Sequence, residues 1–213
     1  MFKPVLACLF LLASTVPSGA EGFAEALQGN LVRLDPGSGE LVPYQLPAKP
    51  PTEYFLIYFS AHWCAPCRKL TPALVGFYKE LKTTHPEVEL IFVSADRDPE
   101  AMNRYASWAQ MPWPALDWDK RESIAKIADL RPMAIPYMAM FDAGGEFLGA
   151  SDTGGFKIGI PKLLKGLQQM LGMEIYDVHE RHGTSSRLIP VAYALAAITA
   201  LVIIVRRRIR KRS

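Results

Sequence analysis

The sequence predicts an α/β domain with a mixed central sheet and helices on both faces of the sheet. Half of the 213 residues are apolar, which is enough to form a sizeable core. Short apolar runs alternate with segments of helical periodicity in the order βαβα, a short helix, then ββα. Strands separated by helices favour parallel pairing, and the closing strand pair favours a hairpin, so the predicted sheet is mixed.

The predicted elements begin with an apolar, aromatic-rich strand at Tyr54–Ser60 and continue with a helix from about Ala65 to Lys82. Pro72 lies inside this helix and is expected to kink it. The later elements are a strand at 88–94, a helix from Pro99, a short helix at 123–130, strands at 137–141 and 146–150, and an amphipathic helix at 160–171.

A lead-in segment precedes these elements. Residues 21–51 form an N-terminal extension in which two apolar segments flank the turn-forming sequence Asp35–Gly39. This arrangement predicts a small hairpin. The main domain is predicted to cover residues 52–172.

Both ends of the chain carry apolar segments. Residues 1–20 combine Lys3, an apolar stretch and small residues up to Ala20, which is typical of a secretory signal peptide. Residues 188–205 contain no charge, and as a helix they span roughly 27 Å. They predict one C-terminal transmembrane helix, joined to the domain by a polar tether at 173–187.

The distribution of charge sets the predicted topology. The net charge is +3, but six basic residues lie in the tail at 206–213, so the remainder is mildly acidic and does not suggest nucleic-acid binding. Basic flanks of a span stay in the cytoplasm, which predicts an exported domain and a cytoplasmic C-terminus. The short tail and the absence of an Asn-x-Ser/Thr sequon favour a bacterial inner membrane, with the domain facing the periplasm.

Cys64 and Cys67, separated by Ala65 and Pro66, carry the predicted chemistry. Such a pair can close and open a small disulfide ring, and the first cysteine lies at the positive end of the following helix, which lowers the pKa of its thiol. A zinc site is disfavoured because it needs four ligands, and only this pair remains once Cys8 leaves with the signal peptide. A structural disulfide is disfavoured because so short a loop removes little chain entropy.

The order of elements and three motifs together resemble the thioredoxin superfamily over residues 52–172. The motifs are Trp63–Pro72 at the strand–helix junction, Ala134–Pro136 as the proline loop, and Gly154 after the last strand. The resemblance implies a thioredoxin fold and thiol–disulfide exchange. It also implies no metal, and no cofactor apart from the redox-active cysteine pair.

Two further segments narrow the resemblance. Tyr58–Cys64 and Met111–Trp113 are similar to the tryparedoxin and nucleoredoxin branch. The family roles that carry over make Cys64 the attacking nucleophile and Cys67 the resolving thiol. Cys67 attacks the mixed disulfide and releases the reduced partner.

The resemblance also assigns supporting roles around the cysteines. Trp63 shields one side of the sulfurs, and Pro66 restricts the loop between them. Pro136, when its peptide bond is cis, places its loop beside Cys64 and keeps a backbone edge free for substrate. Trp63 and Ile135 are therefore expected to contact substrate.

One position departs from many thioredoxins, which have a buried acid six residues before the first cysteine. Here that position is Tyr58, so the proton acceptor for Cys67 stays unassigned. Three tryptophans, Trp108, Trp113 and Trp118, are expected mainly to pack in the core or beneath the site, with a substrate surface as the alternative.

These observations predict a membrane-tethered reductase that acts on disulfides of exported proteins and takes its electrons from a membrane donor. The dipeptide between the cysteines resembles reductant-type sites more than the His-containing dipeptide of isomerases. A disulfide oxidase or isomerase is the first alternative, and a non-catalytic adaptor that binds a partner protein through the Pro136 loop is the second.

Overall fold

The computed structural model describes residues 22–152 and 158–173. Within them one sheet of seven strands has the order β2-β1-β5-β4-β3-β6-β7. The strands are β1 Leu31–Leu34, β2 Leu41–Tyr44, β3 Tyr54–Ser60, β4 Val88–Ser94, β5 Ala115–Leu116, β6 Tyr137–Asp142 and β7 Phe147–Ala150. The helices are α1 Phe23–Leu27, α2 Ala65–Thr84, α3 Pro99–Ala109, α4 Ala125–Ala128 and α5 Ile160–Met170, with a 3-10 turn at Trp118–Lys120.

The predicted mixed sheet is confirmed. β3 pairs in parallel with β4, β4 pairs in parallel with β5, and β3 pairs antiparallel with β6 on its other side. The closing hairpin of β6 and β7 is antiparallel, as is the pairing of β1 with both β2 and β5. The central strands β3 and β4 are buried on both faces, which explains their continuous apolar runs.

Helices cover both faces of the sheet. Alternate residues of β3 point to opposite sides, so β3 contributes side chains to a core on each face. Leu56 and Tyr58 pack in one core with α2, α3 and α5. Phe55 and Ile57 pack in a second core with α1 and α4. The two cores fix β3 between them, and β3 leads directly into the cysteine motif.

The lead-in segment is joined to the main sheet. Its strands β1 and β2 pair across the turn at 35–40, and Leu31 of β1 lies opposite Leu116 of β5. The short strand β5 and the helix α1 have no counterpart among the predicted elements. Two strand residues and five helix residues are too few to produce a recognisable periodicity.

Both edges of the sheet are irregular. β2 is an outer strand and contains Pro43, which lies opposite Val32. β7 forms the other edge, and its pairing with β6 shifts register between Met140 and Phe141.

Several predictions concern residues outside the described ranges: the signal peptide at 1–20, Gly154, the tether from 174 onward, the span at 188–205 and the tail at 206–213. No helix in residues 22–152 or 158–173 is long and apolar enough to cross a bilayer.

Candidate active site

The cysteine pair lies where β3 gives way to α2. β3 ends at Ser60, and α2 begins at Ala65 with Cys64 as its N-cap residue. The backbone N–H of Cys67 donates to Cys64 Sγ over 3.2 Å, so the sulfur takes the place that a side-chain oxygen has in most N-caps. Pro66 is in the first turn of the helix, where an N–H would have no intrahelical acceptor.

Cys64 and Cys67 form a disulfide with their Cα atoms 5.2 Å apart. Cys64 is the member of the pair that reaches the surface, with 5% of it exposed, whereas Cys67 is fully buried. Ala61 completes this small cluster, and Ala95 and Ile135 pack against it. The arrangement gives the two sulfurs different access to a large partner.

The proline loop lies beside the first cysteine. The Ile135–Pro136 peptide bond is cis, and the carbonyl oxygen of Ile135 is 3.6 Å from Cys64 Sγ. Met133, in the same loop, is 91% exposed. A partner chain that approached Cys64 would therefore meet the backbone of this loop.

The residues between β3 and Cys64 are held at three points. The backbone N–H of His62 donates to Asp96 Oδ1 over 2.8 Å, and Arg68 Nη1 donates to the carbonyl of His62. Trp63 is 59% exposed, yet its indole N–H donates to the carbonyl of Ala95 over 3.1 Å. The tryptophan next to the nucleophile is thus exposed and fixed at the same time.

Asp96 is a site residue that the sequence analysis missed. It lies two residues after the end of β4, is only 4% exposed, and accepts hydrogen bonds from Ser94 Oγ as well as from the backbone N–H of His62. Burial raises the pKa of its carboxyl, against the opposing effect of the two hydrogen bonds. The signal was a polar residue at the carboxyl end of a buried strand parallel to β3, since such ends meet at one edge of a sheet.

Four hydroxyl side chains form a buried cluster beneath the cysteines. The Tyr58 hydroxyl lies 3.0 Å from Thr71 Oγ1 and accepts from Ser60 Oγ at 3.1 Å. The Tyr105 hydroxyl lies 2.6 Å from Thr71 Oγ1 and 3.0 Å from Ser60 Oγ. Thr71 also donates to the carbonyl of Cys67 over 2.9 Å. The position that holds an acid in many thioredoxins therefore belongs to an uncharged network.

Burial keeps this network neutral. It raises the pKa of both Tyr58 and Tyr105 above the ordinary value of 10.0 for tyrosine. Neither hydroxyl ionises at neutral pH, so the cluster offers hydrogen bonds to the helix that carries Cys67 and places no charge beneath it.

The three tryptophans occupy different environments. Trp113 is 1% exposed and lies in the core. Trp118 is partly buried, with the guanidinium carbon of Arg121 3.3 Å from the ring centroid. Trp108 is 52% exposed and stacks on Tyr105 with 6.0 Å between ring centroids. The expectation of core packing fits Trp113 and not Trp108.

The cysteine pair is the redox group that the described residues contain. Within residues 22–152 and 158–173, no group of three or more His, Cys, Asp or Glu side chains is placed to hold a metal ion.

Comparison with known proteins shows what this part of the chain resembles. Residues 52–147 match the family model described as Thioredoxin-like. The described domain has a thioredoxin-like α/β fold. Its Cys64–Cys67 pair is disulfide-capable and lies within the segment that matches thioredoxin-like oxidoreductases, as the resemblance of the motifs implied.

The relatives that resemble this chain include nucleoredoxins. The zebrafish (Danio rerio) nucleoredoxin is 34% identical over 135 residues, which cover 62% of this chain and 30% of that protein. Probable nucleoredoxin 1 of Arabidopsis thaliana is 42% identical over 91 residues, which cover 43% of this chain and 15% of that protein. This chain therefore spans less than a third of the length of either relative.

Among solved structures, tryparedoxin I from Leishmania major superposes on this chain with a TM-score of 0.49 at 23% sequence identity. The superposition covers 67% of this chain and 88% of tryparedoxin I.

These relatives correct the predicted localisation. The prediction of a protein in a bacterial inner membrane, with a periplasmic domain and a cytoplasmic C-terminus, is wrong. The proteins that match are nucleoredoxins of zebrafish, mouse and human, at 34–36% identity over 135 residues.

Proposed function

We propose that this domain reduces disulfide bonds in other proteins by using Cys64 as the nucleophile and Cys67 as the resolving thiol. The observation that carries the proposal is the disulfide at the start of α2, where the N–H of Cys67 lies 3.2 Å from Cys64 Sγ. Reduction of this disulfide would leave a thiolate at Cys64 that accepts the same N–H and lies at the positive end of the helix.

In the first step, the thiolate of Cys64 attacks one sulfur of a substrate disulfide. A bond forms between Cys64 Sγ and that sulfur, the substrate S–S bond breaks, and the other substrate sulfur leaves as a thiolate that takes a proton from water. Cys64 fits this role because it is the cysteine that reaches the surface.

In the second step, the sulfur of Cys67 attacks Cys64 Sγ in the mixed disulfide. The intramolecular disulfide forms, and the second substrate sulfur leaves and takes up the proton that Cys67 loses. The substrate gains two electrons and two protons, and the cysteine pair returns to the oxidised form seen here. A thiol reductant must then reduce the pair before the next cycle.

Two features support net reduction rather than oxidation. Strong oxidants of this kind stabilise the thiolate of their first cysteine greatly. Here the residues between the cysteines, Ala65 and Pro66, carry no charge. In the described residues Cys64 Sγ accepts only a backbone hydrogen bond, since Arg68 donates to the carbonyl of His62 instead.

The surface around Cys64 supports a protein substrate. Trp63 presents an exposed aromatic face, and the carbonyl of Ile135 borders the sulfur at 3.6 Å. An extended segment that contains a disulfide can place its backbone along the loop of Pro136 and an apolar side chain against Trp63. We assign substrate contact to Trp63 and Ile135 on this basis.

The decisive experiment is reduction of insulin by the full chain, with dithiothreitol as the source of electrons. The wild type should accelerate reduction, and both Cys64→Ser and Cys67→Ser should abolish the acceleration. In a separate reaction of the pre-reduced variants with insulin and no dithiothreitol, Cys67→Ser should accumulate a mixed disulfide with the substrate, whereas Cys64→Ser should not.

A measurement of the reduction potential separates the alternatives. A value near roughly −270 mV supports a reductase, and a value near about −120 mV makes the domain an oxidant. If the wild type does not reduce insulin, and Cys64→Ser leaves binding to a partner protein intact, the domain is an adaptor.

A further inference from the structure

Tyr58, Ser60, Thr71 and Tyr105 form the buried hydroxyl cluster. Each of the four hydroxyl groups has one hydrogen, so the cluster can donate only four hydrogen bonds. Ser60 donates to Tyr58, and Thr71 donates to the carbonyl of Cys67, which can only accept. Tyr58 then has Thr71 as its acceptor at 3.0 Å. The donations thus form a chain from Ser60 through Tyr58 to Thr71 of α2, which ends at the carbonyl of Cys67.

Tyr105 donates the fourth hydrogen bond of the cluster, either to Thr71 Oγ1 at 2.6 Å or to Ser60 Oγ at 3.0 Å. Either choice gives the same direction, because Ser60 donates a hydrogen bond to Tyr58 and Tyr58 donates one to Thr71. Chains of hydrogen bonds that run in one direction strengthen each other. The cluster therefore converges on one acceptor, the carbonyl of Cys67.

Three elements meet at this acceptor. Tyr58 and Ser60 belong to β3, Thr71 belongs to α2, and Tyr105 belongs to α3. All four side chains are fully buried, so water does not compete for these bonds. The first turn of α2, which carries Cys67, is in this way tied to the strand before it and to the next helix.

We propose that the hydroxyl cluster is a positioning device for the second step of the exchange reaction, with Thr71 as the residue that holds Cys67. This inference rests on the proposed function, in which Cys67 resolves the mixed disulfide. It assigns no proton transfer to the cluster, since its hydroxyls are neutral and the proton of Cys67 leaves with the substrate sulfur.

The two steps differ in how much they depend on the cluster. Cys64 reaches the surface and meets a substrate that can adjust its own approach. Cys67 is fully buried and must reach Cys64 Sγ from within the helix, along the S–S direction. Intramolecular attack is sensitive to the position of the attacking atom, so a loosened first turn slows the second step and leaves the first unchanged.

The test uses the reduced full chain and the aromatic disulfide 5,5′-dithiobis(2-nitrobenzoate), which releases one coloured thiolate in each step. The first release reports attack by Cys64, and the second reports resolution by Cys67. Thr71→Val is nearly isosteric and removes the hydroxyl. It should slow the second release about fivefold and leave the first unchanged, which corresponds to the loss of one hydrogen bond.

Two variants make this result specific. Thr71→Ser keeps the hydroxyl and should restore the second release to the wild-type rate. Tyr78→Phe is the matched control, because the hydroxyl of Tyr78 is also largely buried but donates to Glu89 at 2.7 Å and lies outside the cluster. It should leave both releases unchanged even if it lowers stability.

The proposal is overturned if Thr71→Val leaves the second release at the wild-type rate, slows both releases equally, or is matched by Tyr78→Phe. If Thr71→Val does not fold, Tyr105→Phe can replace it in the test. This substitution removes one hydroxyl group from the cluster and should slow the second release by a smaller factor. An unchanged second release in that variant overturns the proposal as well.

Failure of the proposed function gives a different result. A wild-type chain that shows both releases but does not reduce insulin is no protein-disulfide reductase, yet the cluster is still judged by the ratio of the two releases. A wild type without a second release refutes both proposals.

Discussion

Asp96 gives the sharpest test of how the loop before Cys64 is held. Its carboxylate accepts two hydrogen bonds, from the backbone N–H of His62 at 2.8 Å and from Ser94 Oγ at 2.9 Å. In Asp96→Ala the N–H of His62 loses its acceptor, whereas the hydroxyl of Ser94 can rotate. An orphaned buried donor costs about 1–3 kcal/mol, so we expect Asp96→Ala to lower the free energy of unfolding by about 2 kcal/mol.

Asp96→Asn separates the hydrogen bonds from the charge. The amide oxygen of Asn can still accept from His62, and its NH₂ group can donate to Ser94 once that hydroxyl rotates. Burial raises the pKa of Asp96 above its ordinary value of 3.8, so the folded protein holds this proton to a higher pH than the unfolded chain does. The free energy of unfolding therefore falls as the pH rises from the pKa of Asp96 in the unfolded chain through its higher pKa in the folded protein. The loss persists at neutral pH, where Asp96 is ionised.

The expected result follows from that sign. Asp96→Asn should be at least as stable as the wild type at pH 7, and the difference between them should shrink as the pH falls through the raised pKa of folded Asp96 and be lost below about 4. Urea unfolding at several pH values measures both variants. The reasoning is refuted if Asp96→Asn loses as much stability as Asp96→Ala, because the charge and not the acceptor would then hold the loop.

Three other substitutions test separate parts of the structure. Trp113→Ala removes a side chain that is 1% exposed and should lower the free energy of unfolding by about 3–5 kcal/mol in urea titrations. Asp98→Ala removes the N-cap of α3, where the carboxylate accepts from the N–H of Ala101 at 2.6 Å, and should lower the melting temperature through a loss of about 1 kcal/mol. Trp63→Ala should raise KM for insulin with little change in kcat or melting temperature, since this side chain is exposed; an unchanged KM contradicts its role in substrate contact.

The elements next to the cysteines were predictable because their signals are local. The apolar run at 54–60 predicted β3 with its observed bounds, and the helical spacing after Cys64 predicted α2, which continues through Pro72 to Thr84. The short strand β5 was not predictable. Its two residues become a strand only because β1 and β4 lie on either side of them.

The hydroxyl cluster lay beyond the sequence for a similar reason. Tyr105 is 45 positions from Ser60 and 34 from Thr71, and no local pattern indicates that their oxygen atoms meet. Asp96 is 34 positions from His62. The cysteine motif shows which residues react, but the polar side chains that hold them become visible only once the tertiary contacts are known.

The prediction of the localisation was wrong for another reason. It was inferred from the two ends of the chain, through hydropathy and basic residues. The relatives match the domain between those ends, within residues 52–147 for the family model. The chemistry of the active site does not depend on the compartment, so the error in localisation leaves the roles of Cys64 and Cys67 as they were proposed.

The irregular edges of the sheet bear on how the domain behaves at high concentration. A regular outer strand offers a row of free N–H and C=O groups on which a second copy can grow the sheet. On β2, Pro43 has no N–H to offer, and on the opposite side the shifted register between β6 and β7 breaks the even spacing of the donors. We expect both margins to resist edge-to-edge association, so that contacts with other proteins are directed to the end of the molecule where the sulfurs lie.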